Sequence, residues 1–464
     1  MHHQLLLVSS HQKRVIFIVG PATSFLMSPF KLNSEVKKVI TSQLRSMDDL
    51  CVGLEVENLI YDHEMKRIPV NPGTSISTSD LKVRLEDKNS EKGIAPILSI
   101  EPGGQMEYAS EPHKFLRDLG NEWKTYIANL LHISEEENLI VSDLALEPVV
   151  PAGDITIINH MKYKLMHERF TETGTHGHEM MLNTASVQIN LDYTSLEEAE
   201  RLAFVSDCLH PFIALIFSNA PFYRGEPAGS RNMREIIWRN TDPIRSNCLF
   251  DHGIKSPDGL VDNFITYVLN TPTLFTFEKD GSIGTYDGTL GRWLDSLGSR
   301  GELESGDVMT ALHQIFTQVR FKHVLEIRGP DRPPFGYELV PAAFFQGILR
   351  SPDSLEKVMG IYAKWSVEDR QQLNVMAQTL DLSYEVAGQT LRAWCEQFLS
   401  FALEGLADNR EKQFLALFAE EFLSVGPFSL STQASFEKSG KSVEQFLKDR
   451  WEEQKDLLKE ITKP

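Results

Sequence analysis

The sequence predicts an α+β protein, with a mainly antiparallel sheet, helices behind it and a helical C-terminal layer. Three observations carry that expectation. Four stretches alternate apolar and polar residues with period two, the spacing of strands buried on one face. Segments between them repeat apolar residues at i, i+3 and i+4, the spacing of helices packed on one side. From residue 341 onward the pattern is helical throughout, with helices expected at about 341–349, 354–364, 367–380, 385–406, 408–424 and 440–461. Their Phe, Leu and Trp stripes read as core.

Residues 1–33 read as a disordered N-terminal extension. Residues 15–19 follow Lys13 and Arg14 in the manner of a secretory leader, but the apolar part is too short and no small-residue cleavage site follows. Residues 34–47 read as an amphipathic helix capped by Ser34, with Val36, Val39, Ile40 and Leu44 on one face. In CVGLEVENLI (51–60) the alternation puts Glu55 and Glu57 on one face and Val52, Leu54 and Val56 on the other. Residues 71–93 are polar and read as a loop. A short apolar strand then runs into Glu101, a Pro102-Gly103-Gly104 break, Gln105 and Glu107. Glycines allow the chain to turn tightly there. Residues 112–131 read as a helix carrying Phe115, Leu116, Leu119, Trp123 and Ile127.

Residues 154–170 hold a cationic patch of His160, Lys162, Lys164, His167 and Arg169, suited to phosphate or carboxylate. Residues 180–192 alternate again, with Val187, Ile189 and Leu191 opposite Gln188, Asn190 and Asp192. Residues 196–217 form a long helix whose second half is apolar enough to be buried. The irregular stretch 218–247 contains Arg224, Arg231, Arg234, Arg239 and Arg245, with Trp238 and Asp242. Guanidinium forks match carboxylate and phosphate geometry, although some of these arginines belong to the ordinary surface. Residues 305–316 read as a helix capped by Ser305, and 319–329 as one alternating strand on which Glu326 and Arg328 share a face.

The 464 residues carry a net charge of −19, which argues against non-specific nucleic-acid binding. It leaves room for ATP, since a few local cations outweigh a distant acidic field. Cys51, Cys208, Cys248 and Cys395 are scattered without zinc spacing, so a reduced, cytoplasmic protein is expected. No apolar run has the length of a membrane helix. The organisation expected is a catalytic core over 34–350 with a helical region, 351–464, packed on it.

Placed in one sheet, the four alternating strands would gather Glu55, Glu57, Glu101, Glu107 and Glu326 on a polar floor, with Gln188, Asn190 and Arg328 among them. Taken singly, each is an ordinary solvated strand face. Together the carboxylates would repel one another, and divalent cations would resolve the repulsion. Carboxylate oxygens favour Mg²⁺ or Mn²⁺ over zinc, and magnesium held this way shares its remaining ligands with substrate phosphates. That points to ATP. Neither a phosphate-binding GxxxxGK[ST] loop nor a protein-kinase motif set is present.

In order, GLEVE (53–57), SIEPGGQMEYAS (99–110), MMLNTASVQINLD (180–192), SNAPFYRGEPAG (218–229), MREIIWRNTDPIR (233–245) and VRFKHVLEIRG (319–329) resemble the plant-type glutamate–cysteine ligases. The resemblance implies a glutamine-synthetase-like fold. It also implies ATP-dependent joining of the γ-carboxylate of glutamate to the amine of cysteine through a γ-glutamyl phosphate, the first step towards glutathione. On matching positions it implies Glu55, Glu57, Glu101, Glu107 and Glu326 as metal ligands. It implies Arg234 and Arg328 as catalytic, and Gln188, Arg234, Trp238, Arg245, Arg328 and Lys162 as substrate-binding. The partners implied are glutamate, cysteine and ATP, for a monomer or homodimer.

This chain departs from the family at several places. Asn58 stands where relatives carry Lys, His160 and Lys162 where they carry the Lys and Arg of a PKGRY-like run, and Tyr108 where Leu is usual. These changes put a sibling ligase with another amine acceptor beside the first reading. A catalytically silent nucleotide-binding relative is the third.

Overall fold

The computed structural model describes residues 29–406 and 409–463. Its centre is a seven-stranded sheet built from β1 (Val52–Tyr61), β2 (Ile97–Ile100), β3 (Met106–Ala109), β4 (Ile140–Ser142), β5 (Val187–Leu191), β6 (Val319–Phe321) and β7 (Leu325–Ile327). The order is β6-β7-β5-β1-β3-β2, with β4 paired to the far end of β1, and every pairing is antiparallel. The α+β expectation therefore holds.

Register decides which residues share a face. Glu57 lies opposite Glu107, which lies opposite Ser99. Glu55 lies opposite Gln188, and Asn190 opposite both Gly53 and Glu326. Residues paired across strands point the same way, so the acids and amides form one polar face. On the other face Leu54, Val56, Val187, Ile189 and Leu325 are fully buried.

Helices cover that apolar face. They include α1 (Pro29–Ile40), α2 (Thr78–Glu91), α3 (Leu116–Glu136) and, after α4 (Met161–Glu172) and α5 (Gly177–Asn183), the long α6 (Leu196–Ile216). One continuous apolar core runs from Leu32 to Leu458 and takes in the C-terminal helices. A smaller apolar cluster, including Met166, Phe170, Met181, Trp238 and Phe316, is built by α4, α5 and α7 (Met233–Arg239) with nearby loops. The polar face of the sheet borders a cavity that shares Met166 and Phe316 with this second cluster.

Several elements differ from the sequence reading, each for a local reason. Residues 1–28 of the expected extension lie outside the described residues, while Pro29 already begins α1. That helix stops at Ile40, where the Thr41 and Ser42 hydroxyls bond back to the carbonyls of Lys37 and Val39, so Leu44 is exposed and Ser34 is internal. The supposed loop 71–93 holds α2, started by a Ser77–Asp80 capping box and fixed by buried Leu81 and Leu85. Phe115 is an exposed cap residue ahead of α3. The first four residues of the expected alternating stretch 180–192 belong to the helix Gly177–Asn183. The helix from Ser305 to Leu312 is capped by Glu304, not Ser305. Residues 319–329 form a hairpin, β6 and β7, in which Lys322 N–H bonds the Val324 carbonyl.

The C-terminal region follows the expected helices, with one more at Phe428–Ser439 and a small hairpin, Glu385–Val386 with Gln389–Thr390. Among the described residues no single helix is long and apolar enough to cross a membrane.

Candidate active site

All five acids expected on the floor line one cavity of about 350 Å³, and four of them, Glu55, Glu57, Glu101 and Glu107, do so without a cation paired to them among the described residues. Glu57 accepts hydrogen bonds from the Ser186 backbone N–H (2.7 Å) and the Gln188 amide (3.2 Å). Asn190 donates to Glu55 at 2.7 Å, and Ser99 donates to Glu107. Burial, with the charge of Glu101 second, pushes Glu57 up to about 7. Burial, then Glu101, Glu55 and Glu57, pushes Glu107 well above the usual carboxylate range. Burial raises Glu101 too, against the opposing pull of Lys162 and Arg328. Such raised values mean that these carboxylates lack enough positive charge around them.

Among the described residues no three His, Cys, Asp or Glu side chains form a closed metal cage; the carboxylates ring the cavity instead. Their donor set still fits a hard divalent cation. It is all oxygen, it is self-repelling, and it opens onto space that substrate oxygens could fill.

Glu326 lines the same cavity as expected but differs from the other acids in its partners. It is fully buried and ion-paired to Arg320, to Lys322 at 2.5 Å and to Arg328 at 3.4 Å. Burial pushes its carboxyl up, but the three cations outweigh it and hold Glu326 well below the ordinary range. A carboxylate so compensated holds the three cations at the cavity wall. Arg320 and Lys322 line the cavity and were missed in the sequence. The signal was present, because 320, 322, 326 and 328 share the parity of one strand face.

Arg328 reaches the cavity and donates to Gln188 at 2.8 Å. Lys162 also lines it, its ammonium 4.2 Å from the ring centre of Tyr163. His160 instead caps α4 at an exposed position. Trp238 lines a smaller adjoining cavity of about 90 Å³, with Gln105, Met180, Met181 and Thr184. The two cavities share Glu57, Glu101 and Arg328.

Arg234 and Arg245 are not on the cavity wall. Arg234 is buried and donates to the Gly329 carbonyl (2.9 Å) and to Asp331 (3.2 Å). Arg245 is wholly buried, paired to Asp242 at 2.9 Å and donating to the carbonyls of Gln314 and Pro272. The Arg245 guanidinium is fully engaged inside the protein, and that of Arg234 is engaged through its two terminal nitrogens while its Nε is buried without a partner, so both stand behind the cavity wall as supports. Two of the departures also lie away from the cavity. Asn58 bonds the Ser142 carbonyl, and Tyr108 bonds Glu122 of α3 at 2.7 Å, both on the helix-covered side of the sheet.

The Gly-Gly turn serves packing as well as bending. Gly104 has φ +84°, and a Cβ on Gly103 would collide with the Leu182 carbonyl at the end of α5. Gly104 N–H closes the turn onto the Glu101 carbonyl at 2.8 Å, which sets Glu101 at the cavity wall.

A model of glutamate–cysteine ligase family 2 (GCS2) matches residues 51–463. The chloroplastic glutamate–cysteine ligase of Arabidopsis thaliana is 30% identical over 68% of this chain and 61% of that protein. The one of Medicago truncatula is 29% identical over 70% of this chain and 64% of that protein. The chain thus spans less than two thirds of the length of these relatives. Among solved structures, the glutamate–cysteine ligase of Francisella tularensis in complex with AMP is similar with a TM-score of 0.54 at 12% identity, over 89% of this chain and 91% of that one. A bifunctional glutathione synthetase from Pasteurella multocida gives 0.51 at 12% identity, over 94% of this chain and 54% of that one. At these identities the likeness shows the fold, which is the glutamine-synthetase-like one.

Proposed function

We propose, from the premise that this chain belongs to glutamate–cysteine ligase family 2, that it uses ATP to join the γ-carboxylate of glutamate to the amine of cysteine. The observation that carries this reading is one cavity lined both by the carboxylates Glu55, Glu57, Glu101 and Glu107 and by the cations Lys162, Arg320, Lys322 and Arg328.

The γ-carboxylate attacks the γ-phosphorus of ATP, ADP leaves, and a γ-glutamyl phosphate forms. The amine then attacks its carbonyl carbon, the C–O bond to phosphate breaks, and the amide and inorganic phosphate result. Such chemistry asks for position and charge more than for a strong base. Glu55, Glu57, Glu101 and Glu107 would hold magnesium or manganese, which when bound supplies positive charge to the phosphates. Arg328 and Lys162 stand where a transferring phosphoryl group can be neutralised, Arg328 kept in place by Gln188 and Glu326. Met166, Phe275 and Phe316 supply apolar wall that limits water.

A second reading, a ligase with another amine acceptor, is favoured by the exposed His160 and by the point-charge Lys162 in place of a guanidinium fork. A screen of phosphate release from ATP plus glutamate, one amino acid at a time, separates the two. Release with cysteine well above every other amine supports the first reading. Release with another amino acid and none with cysteine overturns it in favour of the second.

A further inference from the structure

We propose that His210 and Glu235 are a positioning pair that fixes the height of Arg328 over the cavity, an inference that rests on the ligase reading for its catalytic meaning but not for its geometry. His210 lies in the middle of α6 and Glu235 in α7. Their side chains meet at 3.0 Å and are 3% and 4% exposed, so water takes no part in the contact. The other ring nitrogen of His210, Nδ1, is buried without a hydrogen-bond partner. It presses on Gly329, where a Cβ would collide with the imidazole. Gly329 is the residue after Arg328, and neither its backbone nor the ring has room to shift toward the other.

The same helix grips the same backbone from a second side. Arg234, next to Glu235, donates to the carbonyls of Gly329 (2.9 Å) and Arg328 (3.4 Å). The guanidinium groups of Arg234 and Arg328 lie 5.5 and 5.7 Å from the ring of Trp238, also on α7. Arg328 is thus held from three sides: its side chain by Gln188 and Glu326, its carbonyl by Arg234, and the following glycine by His210 backed by Glu235.

A phenyl ring facing a leucine would fill this space without desolvating an acid, and apolar replacement of buried ion pairs is commonly neutral or stabilising. What the polar pair adds is a directional tie between α6 and α7 at the level of Arg328. Since a displacement of about 1 Å in a positioning group can cost two orders of magnitude in rate, the tie bears on turnover.

The test uses the full-length protein and three variants. His210→Gln keeps an amide that can donate to Glu235. His210→Phe alone strands a buried acid and can unfold, so the double variant His210→Phe/Glu235→Leu removes that charge. Gly329→Ala pushes on the ring from the other side. The expected results are a double variant that melts no lower than the parent while its kcat/KM for ATP falls by about tenfold or more, and KM for the amine unchanged. Gly329→Ala, whose Cβ collides with the imidazole, should lose kcat/KM likewise while melting lower, and His210→Gln should keep most of the parental kcat/KM. In a crystal structure of the double variant the Arg328–Gln188 contact, 2.8 Å in the parent, should be broken. Parental kinetics in the double variant, or an unmoved Arg328, overturns the proposal. If the parent joins no amino acid pair at all, the ligase reading fails, and the crystal structure still decides the positioning role.

Discussion

Glu57, Glu101 and Glu107 are carboxylates whose environment favours their protonated forms, through burial first, joined by repulsion from neighbouring acids at Glu57 and Glu107 and opposed by Lys162 and Arg328 at Glu101. A fold that only needed to be stable would place apolar or amide groups there. Glu101→Gln should therefore abolish ATP turnover, by about a hundredfold or more, while leaving the melting temperature equal or higher. Near-parental turnover in that variant would contradict the metal assignment. The alternation in GLEVE, EPGGQME and VQIN was enough to read Glu55, Glu57, Glu101, Glu107 and Gln188 onto one surface. The roles of individual arginines were not legible, because an arginine buried against Asp242 and one facing a cavity look alike until tertiary partners are known. The partners of Glu326 were not legible for the same reason: it lines the cavity as expected, but the charges that satisfy it come from Arg320 and Lys322 across a hairpin turn.

At the scale of elements, strands with strict alternation were legible and their ends were not. The Ser77–Asp80 capping box was the signal for α2, hidden in a segment polar enough to read as loop. The β6–β7 turn was invisible because Lys322, His323 and Val324 carry no Gly or Pro. Arg245 belongs to this scale. It ties the chain after α7 to the carbonyls of Pro272 and Gln314, which flank the segments carrying Phe275 and Phe316 of the cavity wall. Arg245→Met leaves Asp242 buried with the Ile244 N–H (3.0 Å) and a single cation, Arg169, 3.9 Å away, and should lower stability by about 3 kcal/mol. Denaturant unfolding measures this. A raised KM for glutamate with unchanged stability would mean instead that Arg245 touches substrate.

Over the whole molecule, the layered plan was legible: an alternating sheet, helices behind it and a helical C-terminal region. A single apolar core joins residues on both sides of the 350/351 boundary, and which side chains meet across it was not legible. Helix periodicity tells which face is apolar, not which partner covers it.

The charge of the floor has a consequence for the whole protein. Groups with raised folded-state values stabilise the fold below their unfolded value, 4.5 for Glu, and that contribution is lost as pH rises through the folded one, about 7 for Glu57. The ligand-free protein should lose melting temperature between these limits. A bound divalent cation favours the ionised forms, so added Mg²⁺ should raise the melting temperature more at pH 8 than at pH 6. Equal shifts at the two pH values would contradict a magnesium site on this floor.

The central claim is that the cavity activates a carboxylate by phosphorylation and passes it to an amine. Glutamate labelled with ¹⁸O in both γ-carboxylate oxygens tests it directly. With ATP, Mg²⁺ and cysteine, the account predicts one ¹⁸O atom in each released phosphate and the other in the new amide. Phosphate released without label would contradict it.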